Sequence, residues 1–166
     1  MRIWYAPNHV RAWRRSVYLR IGGHDPKMRV LDDQDLLCRT YLATEFKHLD
    51  RCLYLYRIDG NNTWLRHNRE IQENTVRIGD QYLRRLAARW AELNGLLKLN
   101  LGGRFNRQPG FLNVDLRDAD ICCDLRQAWP FADNSVGVIL ADDFLEHLPD
   151  KLHAINEIYR VLAPGG

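Results

Sequence analysis

Between Leu96 and Asp142 the chain places four short apolar runs, LLKLNL (96–101), FLNVDL (111–116), DICCDL (120–125) and VGVILAD (136–142). They are followed by DKLHAINEIYRVL (150–162) and the stop APGG. Apolar runs of this length without strict alternation read as strands buried on both faces, which predicts a parallel sheet covered by helices, an α/β arrangement. DKLHAINEIYRVL reads as the helix that follows the fourth strand. The link GGRFNRQPG (102–110) between the first two runs is too short to hold the helix that normally joins neighbouring parallel strands.

That link also carries chemistry. Gly102 and Gly103 follow the first predicted strand, and lacking Cβ atoms they let the backbone approach a ligand closely. Asp115 stands at the tip of the second strand, where a carboxylate can accept both hydroxyls of a ribose. Asp124 closes the third run at the same end of the sheet, where open α/β folds bind ligands. Each feature has a bland counterpart, a plain turn or a helix cap. Their order along consecutive strands is what points to a nucleotide-bearing ligand.

The preceding half has a different pattern. Residues 8–21 read as a helix with Val10, Trp13, Val17 and Ile21 on one face, stopped by Gly22-Gly23. LDDQDLLCRTYLAT (31–44) opens with acidic residues suited to a helix N-terminus, with Asp32 and Asp33 as candidate caps. RCLYLYRI (51–58) reads as a strand, and DGNNT after it as a turn ending in a candidate cap, Thr63. From Trp64 to Leu93 the pattern is helical in two pieces meeting at Gly79-Asp80, with Tyr82, Leu86, Trp90 and Leu93 as the stripe of the second and Asn94-Gly95 as its end. The expected domains are therefore 1–94 and 95–166.

Composition narrows the function classes. The chain has 166 residues, 46% hydrophobic and 27% charged, which is globular in character. No stretch reaches the roughly 18 apolar residues of a membrane span, and MRIWYAPNHVRAWRR lacks a signal peptide's apolar segment, so a cytoplasmic location is expected. The net charge of +3 includes clusters at Arg11, Arg14 and Arg15 and at Arg84, Arg85 and Arg89, which alternate with apolar stripes and read as solvated helix faces rather than a nucleic-acid interface. The four cysteines, Cys38, Cys52, Cys122 and Cys123, have no CxxC spacing and read as reduced, mostly buried thiols. His147 and His153 are spaced wrongly for two ligands on one helix face, so no metal site is expected.

With these residues in hand, 96–166 resembles the first part of a class I S-adenosylmethionine-dependent methyltransferase of the type 11 kind, through LNLGG, GFLNVDL, ADICCDLRQAWPFADNSVGVILADDFLEHLPD and EIYRVLAPGG. The resemblance implies a partial Rossmann-like sheet and S-adenosylmethionine as cofactor. It places Gly102 and Gly103 at the methionine end, Asp115 at the ribose, Asp124 with Leu125 at the adenine, and Glu146 and His147 beside the substrate pocket. For His147 it leaves two roles open, a general base and a local hydrogen-bonding group. A subgroup with a shortened first crossover accounts for the missing helix. Asn100 stands where the family usually has an acid, and Arg104-Phe105 where it has a third glycine.

RRSVYLRIGGHDPKMRVLDDQDLLCRTYL with CLYLYRIDGNNTW resembles the C-terminal part of a GT-A type, family 2 glycosyltransferase. That resemblance implies Asp33 as catalytic base, with Asp32 and Asp35 flanking it and Asp59 where the family commonly has histidine. It also implies a nucleotide sugar as donor and a glycan or other polar acceptor. The resulting expectation is an internal piece of a two-enzyme transferase, self-associating through an exposed sheet edge. The alternative is a non-catalytic cofactor-type fold serving as a scaffold or binding surface.

Overall fold

The computed structural model describes residues 10–55 and 66–166. Thr63, Trp64, Asp59 and the end of the RCLYLYRI run lie outside the described residues. The chain divides into two compact units, Arg2–Leu86 and Ala87–Gly166.

In the first unit, helix α1 covers Arg15–Arg20 and starts later than expected. Arg14 is extended (φ −62°, ψ 131°) and gives no side-chain cap. Trp13 lies outside the helix and donates its Nε1–H to Thr40 Oγ1 at 2.9 Å, while Val10 is exposed. Gly22 and Gly23 end the helix with φ of 85° and 61°. At Gly23 a Cβ would stand 2.9 Å from the Tyr18 ring, so glycine is needed there twice over. Helix α2 spans Asp32–Ala43 and buries Asp35, Leu36, Leu37, Cys38 and Thr40. The capping position belongs to Leu31 (φ 60°), without a side-chain hydrogen bond, so Asp32 and Asp33 are first-turn residues and not caps.

Residues 51–55 form no strand, against expectation. A strand needs a partner for its backbone, and among the described residues none pairs there; Leu53, Tyr54 and Leu55 are exposed. Helix α3 runs unbroken through Asn68–Leu93 instead of splitting at Gly79. A mid-helix glycine costs only about 1 kcal/mol, and the flanking stripe of Ile78, Tyr82 and Leu86, all buried, outweighs it. That stripe fades before Leu93, which is exposed. The helix closes in a Schellman arrangement: Gly95 takes φ 64°, its N–H reaches Glu92 O, and Leu96 N–H reaches Ala91 O.

The second unit holds a four-stranded, all-parallel sheet of β1 (Leu97–Leu101), β2 (Leu112–Asp115), β3 (Ile121–Cys122) and β4 (Val136–Leu140) in the order β3-β2-β1-β4. Helix α4 (Lys151–Val161) follows, capped by Asp150, whose side chain accepts from His153 N–H. The sheet and its helices make a Rossmann-like α/β fold. One core gathers Leu99, Leu101, Val114, Trp129, Val136 and Val161. Around α4, Ala154 is fully buried in the same core.

The other face of the sheet is more polar than buried strands predict: it carries Lys98, Asn100 and Asn113, and the last turns of α3 meet it where a Cβ on Gly137 would fall 2.6 Å from Ala91 Cβ. As expected, no helix joins β1 to β2. The link is pinned by ion pairs to the loop after β2 instead, Arg104 to Asp118 at 2.6 Å and Arg107 to Asp120 at 3.0 Å. Only Cys38 of the four cysteines is buried; Cys52 and Cys122 are exposed, so the expectation of mostly buried thiols fails. No helix among the described residues is long and apolar enough to cross a membrane.

Candidate functional site

The strand order reverses at β1, which has β2 on one side and β4 on the other. Such a switch point, at the carboxyl ends of β1 and β4, is where open parallel sheets take ligands. Gly102 begins the turn at this point with φ 66°, and its N–H donates to Val114 O at 2.9 Å, tying the turn to the tip of β2. A Cβ on Gly102 would lie 2.3 Å from Phe144 Cδ2, so the missing side chain makes room for the ring that follows β4. On Gly103 a Cβ would lie 1.9 Å from Asn100 Nδ2. The two glycines are therefore required by different neighbours.

Asp115 ends β2 as a half-buried residue. One carboxylate oxygen accepts the Leu116 N–H at 2.6 Å, and no basic side chain pairs with the group among the described residues. Its acidic neighbours differ. Asp118 is taken by Arg104, Asp120 by Arg107, and Asp124 by Arg126, whose Nε and Nη2 each reach it at 2.8 Å. The Arg126 guanidinium holds the Asp124 carboxyl down at about 2, and hydrogen bonds from the Asn113 backbone and then Arg107 lower Asp120. Of this acidic group, Asp115 is the one with no arginine partner among the described residues. Asp124 lies beyond β3, which ends at Cys122, rather than closing the strand as expected. Leu125 is buried and its carbonyl accepts the Trp129 indole N–H.

Glu146 and His147 sit in the single 3-10 turn Leu145–His147 after β4, both exposed. Neither side chain makes a hydrogen bond among the described residues, so the local bonding role expected of His147 has no partner there. Asp33 lies in the other unit, where Oδ1 accepts Gln34 N–H at 2.9 Å and Oδ2 accepts from Arg11 at 2.7 Å.

Sequence reasoning missed Arg126 and Asn113. Arg126 is two residues from Asp124, a spacing that allows a local chelate, and that signal was readable. Asn113 is the buried partner of Asn100, a pairing set by strand register, which sequence does not display.

Residues 103–166 match a family model described as "Methyltransferase domain". The match takes in Gly103, Asp115, Asp124, Leu125, Glu146 and His147, and leaves out β1 and Gly102. It makes this part of the chain methyltransferase-like and supports a transferase. No curated protein and no solved structure matches the chain.

Proposed function

We propose that residues 95–166 bind S-adenosylmethionine at the carboxyl ends of β1 and β2 and serve methyl transfer to a glycan or other polar acceptor. The observation that carries this reading is the Asp115 carboxylate at the tip of β2, with no basic partner among the described residues, beside a glycine turn at the point where strand order reverses. The residues present fit the cofactor in kind: a carboxylate for two ribose hydroxyls, a turn without side chains, and an apolar residue, Leu125, for the adenine. In this reading Asp124 meets the adenine edge as a carboxylate already shared with Arg126. Glu146 and His147 stand on the acceptor side.

When bound, the cofactor supplies a methyl group on a sulfonium, open to in-line displacement by an acceptor oxygen, nitrogen or carbon. The chain contributes by holding the ribose through Asp115 and fixing the turn, so catalysis is chiefly positional. Crosslinking of radiolabelled S-adenosylmethionine to the full chain tests this. Label on the chain, competed by unlabelled cofactor, is the expected result; a folded chain that takes no label would favour the non-catalytic scaffold instead.

A second reading covers residues 1–94 as the acceptor-side part of a glycosyltransferase that uses a nucleotide sugar. In this reading the Gly22-Gly23-His24-Asp25 turn and Asp35 of α2 line a cavity of about 380 Å³, which Asp33 itself does not line. Asp33 is its catalytic base. Asp33→Asn keeps the oxygen that accepts from Gln34 but gives up the charged partner of Arg11, so some stability should be lost while the chain still folds and sugar transfer by the full-length protein is abolished; retained transfer rejects the assignment.

A further inference from the structure

Beneath the glycine turn lie two buried amides in register on adjacent strands, Asn100 on β1 at 4% exposure and Asn113 on β2 at 1%. The Asn100 amide has two N–H groups and spends both. Nδ2 lies 2.9 Å from Asn106 O, in the turn, and 3.1 Å from Asn113 Oδ1. The turn closes on itself through Asn106 N–H to Gly103 O at 3.0 Å. Gly103 packs so closely over the pair that a Cβ there would reach Asn100 Nδ2 at 1.9 Å and Asn113 Oδ1 at 2.6 Å. Asn113 Nδ2, by contrast, is buried without a hydrogen-bond partner among the described residues. Buried donors are normally paired, so this amide holds an unused donor beside the Asn100 side chain.

We propose that Asn100 is the positioning residue of the 102–106 turn and that it acts as a double hydrogen-bond donor, not by touching a ligand. The requirement is for N–H groups. An acid at position 100 is nearly isosteric yet offers only acceptors when ionised, and would face two oxygens. The spare Nδ2 of Asn113 gives the strand pair a remedy: a half-turn of that amide presents a donor to the new carboxylate. Asn106 O has no such remedy. Asn100→Asp therefore keeps the sheet and releases the turn.

The consequence has a sign that depends on pH. Once protonated, the acid regains one O–H donor, so acidification should restore the turn. A carboxylate that instead gripped a ligand's ammonium group would lose its hold on acidification. The charged groups on the elements that meet this face and on the adjoining loops, Arg89, Glu92, Lys98, Arg104, Arg107, Asp115, Asp118 and Asp120, are common to variant and parent. The quantity to follow is thus the variant-to-parent ratio at each pH.

The test is amide hydrogen exchange of the full chain without ligand. Asn100→Asp should speed exchange of the Asn106 amide, whose N–H closes the turn on Gly103 O, by about tenfold near neutral pH, with the β1 and β2 amides unchanged, and the ratio should shrink as pH falls through the carboxyl range. Asn100→Ala, which removes both donors without adding a charge, should speed the same amide with a ratio that does not vary with pH. It also serves if the Asp variant does not fold. Parent-like exchange at the Asn106 amide in either variant, or a pH-independent ratio for Asn100→Asp, overturns the proposal. A parallel titration rests on the cofactor reading above: S-adenosylmethionine affinity of Asn100→Asp should fall and recover on acidification. If the parent itself binds none, the cofactor reading fails while the exchange data still decide the role of Asn100.

Discussion

Replacing Asp115 with Ala removes the one acidic side chain at the tip of β2 that no arginine claims among the described residues. Two charge-assisted hydrogen bonds to ribose hydroxyls are together worth roughly 1.5–3 kcal/mol or more. Losing them should weaken S-adenosylmethionine binding by at least about tenfold. Stability should scarcely change, because the only internal bond lost is the local one to Leu116 N–H.

The comparison variant must be chosen with the backbone in mind. Asp118 is exposed and paired to Arg104, a surface contact worth about 0–1 kcal/mol, but it sits at φ 56°. Alanine there would add left-handed strain that asparagine tolerates, so Asp118→Asn is the better control. Calorimetric titration of cofactor into the parent chain, Asp115→Ala and Asp118→Asn should give one weakened protein and two alike. Equal affinity in all three refutes the placement of the ribose at Asp115 and moves the scaffold reading ahead.

Two further outcomes follow from packing. Gly102→Ala would put a methyl 2.3 Å from the Phe144 ring at a left-handed backbone position, and should cost about 1–3 kcal/mol by thermal or denaturant unfolding; an unshifted midpoint would mean the ring moves aside freely. Arg160 gathers Glu157, Asp133 and the carbonyls of Phe131 and Trp129, and hydrogen bonding from it lowers the Glu157 carboxyl from an ordinary 4.5 to about 2. A carboxyl depressed in the folded state stabilises fully above its unfolded value, and that stability drains as pH falls from about 4.5 to about 2. Arg160→Ala should lower stability at neutral pH and flatten this acid limb, and a limb of unchanged steepness would reject the pairing as its cause.

Much of the second unit was legible in the residues. Four apolar runs and one amphipathic segment became four strands and a helix in the expected order, because short apolar runs of that spacing have few other ways to bury their side chains. Gly102, Gly103 and Asp115 could be singled out because glycine's missing Cβ and a strand-terminal carboxylate are local properties, present in the sequence before any fold exists. The first unit was less legible for the same reason reversed. Whether RCLYLYRI pairs, whether Gly79 breaks α3, and where α1 begins depend on partners distant in sequence, and burial of Ile78, Tyr82 and Leu86 overrode the glycine signal.

What the tertiary structure alone decided is which side chains satisfy one another. The sequence shows Asp115, Asp118, Asp120 and Asp124 as equivalent acids, and only the fold brings Arg104, Arg107 and Arg126 to three of them and, among the described residues, leaves Asp115 without one. Likewise Asn100 and Asn113 are two polar residues in apolar runs until the parallel register sets them side by side under Gly103. Propensity and periodicity act over a few residues and so can be read along the chain. Charge pairing and hydrogen-bond satisfaction act through space, over a few ångströms between residues the sequence holds far apart.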